Sequence, residues 1–529
     1  MLPFSRKARW SLDSLTPPWG EMVSIYDHIR AAPDRQSLPD EPLLRKKYKF
    51  GWVGGALDGV FGRHTARGES TKKVFESVEA LRRLLQEANK ETLTNLYDLI
   101  VRDSILSFID EVLEELNKSK LSVDSGRLLE TGRYFATRAA HREAVKFGLA
   151  LIGRAGTPSE LGILKTLGRN DEFTLYAAVA IARIADNAEQ ALWELAKNVH
   201  GWGRIQIVER LKETQNSEIR SWMLREGFRN EVMDEYLACI CARAGRLHEA
   251  LQQQVVDEAL LEGAADMLRA LLPGRGPAEG IDDYTQGADS CESYINLVWA
   301  RRGLGLKHFL TVAEMRRFLS APEGWDKRDK LGWTESRRRT LLALCDDVFA
   351  REEWRAQVAE ELASVDEQAF YVADTAAKEL SIDTWDVHFK RIRAAPVKSS
   401  SWYRLMQQTD EVRIDRVLEF AETILPLEKV ATGPGEEMGL GPGFELHGTL
   451  DWILQDLRRF PLRGWKFIQA GLRSPVIRNR NMAIQALATW PREAWSAEVT
   501  LAVQELHNRE PRDDVKRRLD DLVEGKSIG

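Results

Sequence analysis

Helix-start signals recur about thirty residues apart through the middle of this chain, and that spacing constrains the fold more than any other feature. Thr157, Asn187 and Asn216 each precede an apolar-periodic run, at intervals of 30 and 29 residues. Such side chains suit a helix start because their oxygens accept the amides that a first turn leaves unbonded. One helix-turn-helix unit has about this length, so the spacing predicts stacked helix pairs, each covering what its neighbour leaves exposed. Thr157-Pro158-Ser159-Glu160 adds a capping-box pattern, with proline at the tolerated first helical position. Residues 173–184 are apolar nearly all round, which predicts an inner helix, whereas 188–198 keep Glu189, Glu194 and Lys197 for solvent.

Punctuation divides the chain. Residues 1–65 read as an irregular lead-in, because Pro17, Pro18, Pro33, Pro39 and Pro42 interrupt any helix begun there. Residues 66–272 form the array. Within it Val74, Val78, Leu81, Leu85 and Ala88 make one helical stripe, and a second helix is expected over 91–116. A Pro/Gly-rich, acidic stretch at 273–290 is a predicted linker, 291–431 a middle helical region, 432–448 a Gly-rich loop, and 449–529 the C-terminal helices.

Charge and cysteine content exclude several classes. Seventy-five Lys and Arg stand against 81 Asp and Glu, a net charge of -6, so no general pull toward nucleic acid is expected. Cys239, Cys241, Cys291 and Cys345 are too few and scattered for a disulfide framework, which predicts a reducing cytoplasmic setting. Nowhere do eighteen consecutive apolar residues occur, so neither secretion nor a membrane span is expected.

Motifs for common chemistries are missing: no dinucleotide fingerprint, no phosphate-binding P-loop, no nucleophile elbow. No catalytic residue and no metal ligand set is therefore assigned. Cys239 and Cys241 are two apart, diverge on a helix, and are read as small buried residues. Asp383, Asp386 and His388 are close enough in sequence for a mononuclear metal reading, but helical positions two apart diverge, and exposed helix surface is preferred. Glu445 and His447 suit acid-base work in composition, and a solvated loop is the simpler reading.

The segment His200-Gly201-Trp202-Gly203-Arg204 has two readings. As a concave-face contact it offers an indole for stacking and a guanidinium for a carboxylate or phosphate. As an inter-helix turn its glycines take positive φ and its Trp plugs the interface, and this reading is preferred. His200, Trp202 and Arg204 are the candidate binding surface. The run at 50–64, with Gly51, Gly55 and Gly59 four apart, is read as a tightly packed turn. Sixteen tryptophans are spread through every region, mostly as core, with a few available to shape an apolar pocket.

Ser474-Pro475-Val476-Ile477-Arg478 with Ala483, Ala486 and Leu487 resembles the second helix of a HEAT-type repeat, and Asp514-Val515-Lys516-Arg517 with Leu519 and Leu522 resembles the next copy. The expected fold is thus an all-α, HEAT-like helical-repeat solenoid with an irregular N-terminal segment. Its expected role is a binding scaffold that engages a protein partner or a hydrophobic ligand along a concave face. Gly51-Trp52-Val53-Gly54-Gly55-Ala56-Leu57-Asp58-Gly59 together with Val199-His200-Gly201-Trp202-Gly203-Arg204 resembles a group of bacterial HEAT-like proteins, some named limonene hydroxylase. That resemblance implies the alternative role, a monoterpene (limonene) hydroxylase or monooxygenase drawing on NAD(P)H, with NAD-linked oxidation of the product alcohols. It supplies no catalytic motif, and no cofactor site is evident in the sequence.

Overall fold

The computed structural model describes residues 10–32, 37–41, 55, 71–118, 124–274, 278–396, 399–526 and 528. Regular structure among them is helical, apart from a single parallel bridge between Glu437 and Val476. Two compact units divide the chain, one ending at Arg351 and the other beginning at Glu352. Neither Pro/Gly-rich segment coincides with that division.

The first unit contains α1 (Ile25–Ala31), α2 (Thr71–Gln86), α3 (Lys90–Val101), α4 (Ile109–Lys118), α5 (Ser125–Arg138), α6 (Arg142–Ala155), α7 (Leu161–Gly168), α8 (Asp171–Ile184) and α9 (Ala188–Ala196). It continues with α10 (Trp202–Val208), α11 (Ser217–Trp222), α12 (Glu235–Ala244), α13 (Leu247–Leu251), α14 (Glu258–Leu271), α15 (Gly287–Ala300), α16 (Leu306–Ser320), α17 (Trp325–Arg328) and α18 (Glu335–Phe349). From α6 onward each even-numbered helix packs on the even-numbered helix after it, through α8, α10, α12, α14 and α16 to α18. Odd-numbered helices lie beside the row, α7 packing on α8 and α9 bridging α8 and α10. Stacking of this kind is the expected helical repeat.

Close approach along the row needs small residues. A Cβ on Gly148 in α6 would sit 2.8 Å from the Gly132 carbonyl oxygen of α5, so this pair of glycines sets the α5–α6 spacing. Aliphatic burial does the rest. Phe173, Ala177, Ala178 and Ile181 of α8 are fully buried, in keeping with an inner helix.

Local capping follows the sequence at two of the three starts. Asn187 accepts the Gln190 amide at 3.0 Å, and Asn216 accepts Glu218 and Ile219. Thr157 does not cap, and the capping box expected there does not form. Glu160, its fourth member, is buried and turned to the Arg133 guanidinium of α5, with Nε donating at 2.7 Å. The single helix expected over 91–116 is also interrupted. After α3 the chain makes a short turn at Ile105–Ser107, whose Ile105 amide donates to Glu143 of α6 at 2.7 Å.

The described part of the lead-in, residues 10–32 and 37–41, is packed. Leu12, Trp19, Ile25, Ile29 and Leu38 are buried, and Ser24 caps α1 while donating to Thr137 O at 2.7 Å. Of the stretch 50–64 only Gly55 belongs to the described residues. The linker expected over 273–290 ends early, because Gly287, Ala288 and Ser290 already belong to α15 and are buried. Small residues disguised that helix start as a loop.

The second unit contains α19 (Glu353–Glu361), α20 (Glu367–Glu379), α21 (Trp385–Ala394), α22 (Ser399–Gln408), α23 (Ile414–Ile424) and α24 (Leu427–Val430). After the Gly-rich loop come α25 (Glu445–Leu457), α26 (Trp465–Leu472), α27 (Ile477–Leu487), α28 (Ala497–Arg509) and α29 (Asp513–Val523). Here α22, α25, α27 and α29 form one row and α24, α26 and α28 a second. Ala483, Ala486 and Leu487 of α27 and Val515, Leu519 and Leu522 of α29 lie in one core, as the repeat pattern predicts. The Gly-rich loop is bound to α27's entry, with Gly433 N donating to Arg473 O at 2.7 Å and Ile477 N to Glu437 O at 3.0 Å. Among the described residues no helix is long and apolar enough to cross a membrane.

Candidate functional site

The segment between α9 and α10 is an interior turn. Trp202 is 7% exposed and packs against Tyr236, ring centroids 5.5 Å apart. Arg204, equally buried, donates from Nε to Val199 O at 2.7 Å and from Nη1 to Arg229 O at 3.0 Å and Glu226 O at 3.3 Å. Its Nη2 faces His200 Nδ1 at 3.4 Å. A guanidinium engaged in this way holds loops together and has little left for an external anion. Of the candidate surface, His200 alone is exposed.

The glycines of this turn answer to space, not to positive φ. Gly201 has φ -99° and Gly203 lies inside α10. A Cβ on either would strike the Asp171 side chain. Asp171 opens α8 and accepts the Gly203 amide at 3.0 Å. Gly55 arrives from the other side with φ +70°, where a Cβ would lie 2.5 Å from Asp171 O and 3.3 Å from the Trp202 Cβ. Gly55 and the 201–203 turn therefore meet at Asp171.

Next to Asp171 lies an ionic cluster drawn from distant parts of the chain. Glu172 receives Lys146 Nζ at 2.7 Å, the Gly55 amide at 3.1 Å and Arg142 Nη1 at 3.5 Å. Arg142 also grips Asp40, with Nη2 to Oδ1 at 2.9 Å and its backbone amide to Oδ2 at 2.9 Å. Lys146 is fully buried, Asp40 and Glu172 nearly so. Spacing within the sequence carries no trace of this cluster, because Asp40 and Arg142 stand 102 positions apart. It was missed for that reason.

Adjacent carboxyls in this cluster titrate in opposite directions. Burial pushes Asp171 up to about 6, against the amides of Gly203 and Gly201 that favour its charge, and Glu231 and Glu172 add to the rise. Burial also works against ionised Glu172, but Lys146 and Arg142 outweigh it and hold the carboxyl well below the usual range. Glu172 is thus held as an anion, while Asp171 keeps its proton up to about pH 6.

A cleft opens one layer away, between α4, α6 and α8. It encloses about 180 Å³, with walls that include Ile109, Leu113, Leu149, Leu175 and Val179. Arg183 and Arg210, both exposed, stand at its edge. Tryptophan was the expected material for an apolar pocket, yet none lines this one. Most described tryptophans are core or half-buried, and Trp299 is the exposed one among them.

The remaining sequence candidates are accounted for locally. Asp383 binds Arg413 at 2.5 Å, Asp386 is exposed beside Arg416, and His388 is buried with Nε2 donating to Asp374 at 2.7 Å, so the three do not converge. His447 Nδ1 meets Asn479 Oδ1 at 3.0 Å, while Glu445 accepts the Gly443 amide. All four cysteines are buried and free, and burial pushes the Cys239 and Cys345 thiols up to about 12. Among the described residues no group of three or more His, Cys, Asp or Glu is placed to hold a metal ion. Compared with known proteins, the chain matches no family model, no curated protein and no solved structure.

Proposed function

We propose that this helical-repeat chain is a binding protein that takes a small hydrophobic molecule into the cleft between α4, α6 and α8. The observation that carries this reading is the cleft itself: about 180 Å³, walled mainly by aliphatic side chains on three packed helices, with Asp110 and Tyr176 also on its lining. A preformed apolar cavity of roughly 150 Å³ is enough for a benzene-sized guest, so this cleft suits a compact ligand of about six to ten heavy atoms. Arg183 and Arg210 at the edge favour a ligand whose one polar end is an oxygen or a carboxylate. Walls carried by helices α6 and α8 need no rearrangement to receive it.

Calorimetric titration of the purified protein with limonene and with octanoate tests the reading. Binding is expected with a Kd on the order of 10–100 μM. Val179→Trp, made at an exposed wall position, is expected to fill the cleft and weaken binding by at least about tenfold. Absence of binding by either probe, or unchanged binding by the variant, rejects the assignment. The oxygenase alternative makes a further demand, NAD(P)H-dependent consumption of limonene, and such turnover would replace a binding role with a catalytic one.

A further inference from the structure

The second unit carries a polar cleft of about 440 Å³, framed by α20, the 381–383 turn, α22 and Arg413. Most of its polar groups are already engaged. Asp383 is neutralised by Arg413, Gln408 is bonded to Thr384, and Gln407 donates to both carboxylate oxygens of Asp456 at 3.1 Å. Four groups are not. Among the described residues, the Lys378 ammonium, the Nη1 and Nη2 ends of Arg404, and the hydroxyls of Ser381 and Tyr403 make no hydrogen bond.

Arg404 is held so that its fork stays open. Asp374, 3% exposed, lies behind it with Oδ2 3.4 Å from Arg404 Nε. The other oxygen, Oδ1, is fixed by His388 Nε2 at 2.7 Å and Thr384 Oγ1 at 3.1 Å. Tyr371 and Tyr403 flank the guanidinium, ring centroids 5.8 and 5.9 Å away. Burial works against the Asp374 charge, yet the bond from His388 and the charge of Arg404 hold the carboxyl below its ordinary value. A permanent anion at Nε thus orients the guanidinium while its two terminal nitrogens remain available.

Ser381 stands on the cleft wall at the end of α20, where it takes φ +54° as the helix closes with the Ile382 amide donating to Ala377 O at 2.8 Å. Lys378, Arg404 and Arg413 against Asp374 and Asp383 leave the cleft with a surplus of positive charge.

We infer that this cleft binds a small organic anion, a carboxylate or a phosphate ester, through the open fork of Arg404 and the ammonium of Lys378. The fork presents two parallel N–H groups to two anionic oxygens, Lys378 adds a mobile point charge, and the hydroxyls of Ser381 and Tyr403 serve the remaining lone pairs. The volume leaves room for an organic body beyond the anionic group.

Calorimetric titration of the full-length protein with malonate, inorganic phosphate and glycerol 3-phosphate, with glycerol as the uncharged control, tests the inference. At least one anion is expected to bind with a Kd of about 1 mM or tighter, more weakly as salt rises. Arg404→Gln and Lys378→Gln are each expected to weaken it about tenfold or more, and Arg404→Lys to recover only part of the loss because a point charge cannot bind bidentately. Stronger binding of malonate than of the phosphates assigns a carboxylate ligand, and the reverse order a phosphate ester. Anions that bind no better than glycerol overturn the inference, as does wild-type affinity in Lys378→Gln, a change on an exposed side chain that leaves folding intact.

Discussion

Two buried ion clusters, one in each unit, are built on opposite plans. In the second unit Arg480 and Glu510 are both fully enclosed, and the guanidinium is saturated. Nε and Nη2 donate to the two Glu510 oxygens at 2.6 and 2.8 Å, while Nη1 and Nη2 also reach Ser474 O, Pro475 O and Gly435 O. Each of the five N–H donors of an arginine has an acceptor there. In the first unit Lys146, Arg142, Glu172 and Asp40 share charge around a Gly55 amide, and the next residue, Asp171, titrates near neutral pH. A closed pair fixes a loop permanently. An open cluster with a titrating neighbour makes the holding of a segment depend on conditions.

The largest effect should come from breaking the closed pair. Arg480→Ala leaves the buried Glu510 side chain without its guanidinium partner, together with three carbonyls that lose their donor, and should cost about 3–5 kcal/mol in chemical denaturation of the full chain. Removing both charges with Arg480→Met and Glu510→Leu should cost less than that single change, which distinguishes an uncompensated charge from lost packing.

Next in size is the pH dependence of the open cluster. Asp171 has its folded pKa, about 6, above its unfolded value, so the folded state holds the extra proton between about pH 4 and 6. Its contribution to stability is therefore present at the acid end and lost as pH rises through 6, by up to about 3 kcal/mol. Asp171→Asn should flatten the stability profile over that interval. Glu172 runs the other way, since its depressed pKa gives stability that disappears as pH falls below the usual carboxylate range. A profile that Asp171→Asn leaves unchanged would make both clusters equally closed.

The smallest effect is steric. Gly55→Ala places a methyl group 2.5 Å from Asp171 O at a φ of +70° and should cost about 1–2 kcal/mol, read as a lowered melting temperature. The same change should also shift the Asp171 titration, because Gly55 itself packs on the Asp171 backbone.

What was legible in the sequence is whatever short-range order determines. Asn187 and Asn216 cap as their residue type predicts, and the apolar stripe Val515, Leu519, Leu522 faces the core because helical periodicity leaves it no other side. Long-range competition hid the rest. Glu160 has the spacing of a capping box, but an arginine 27 residues away in space-filling contact offers it a charge, which a backbone amide does not match. Arg204 reads as an anion receptor until the carbonyls of Val199, Glu226 and Arg229 are placed around it. The cleft between α4, α6 and α8 needs three helices to be positioned before it exists. Proline and glycine placed the breaks only approximately, since Gly287 already belongs to α15 and Glu445 to α25, and neither break falls at Arg351.

The row from α6 to α18, in which each helix touches the next but one, has a consequence for how damage and ligands are felt. Coupling in such a row is between neighbours, so protection conferred by a guest in the proposed cleft beside α6 and α8 is expected to fade along successive layers. Amide exchange would record that decay as a gradient. Within the first unit, this row is expected to open course by course, each course held by the one beside it, and not as one cooperative block.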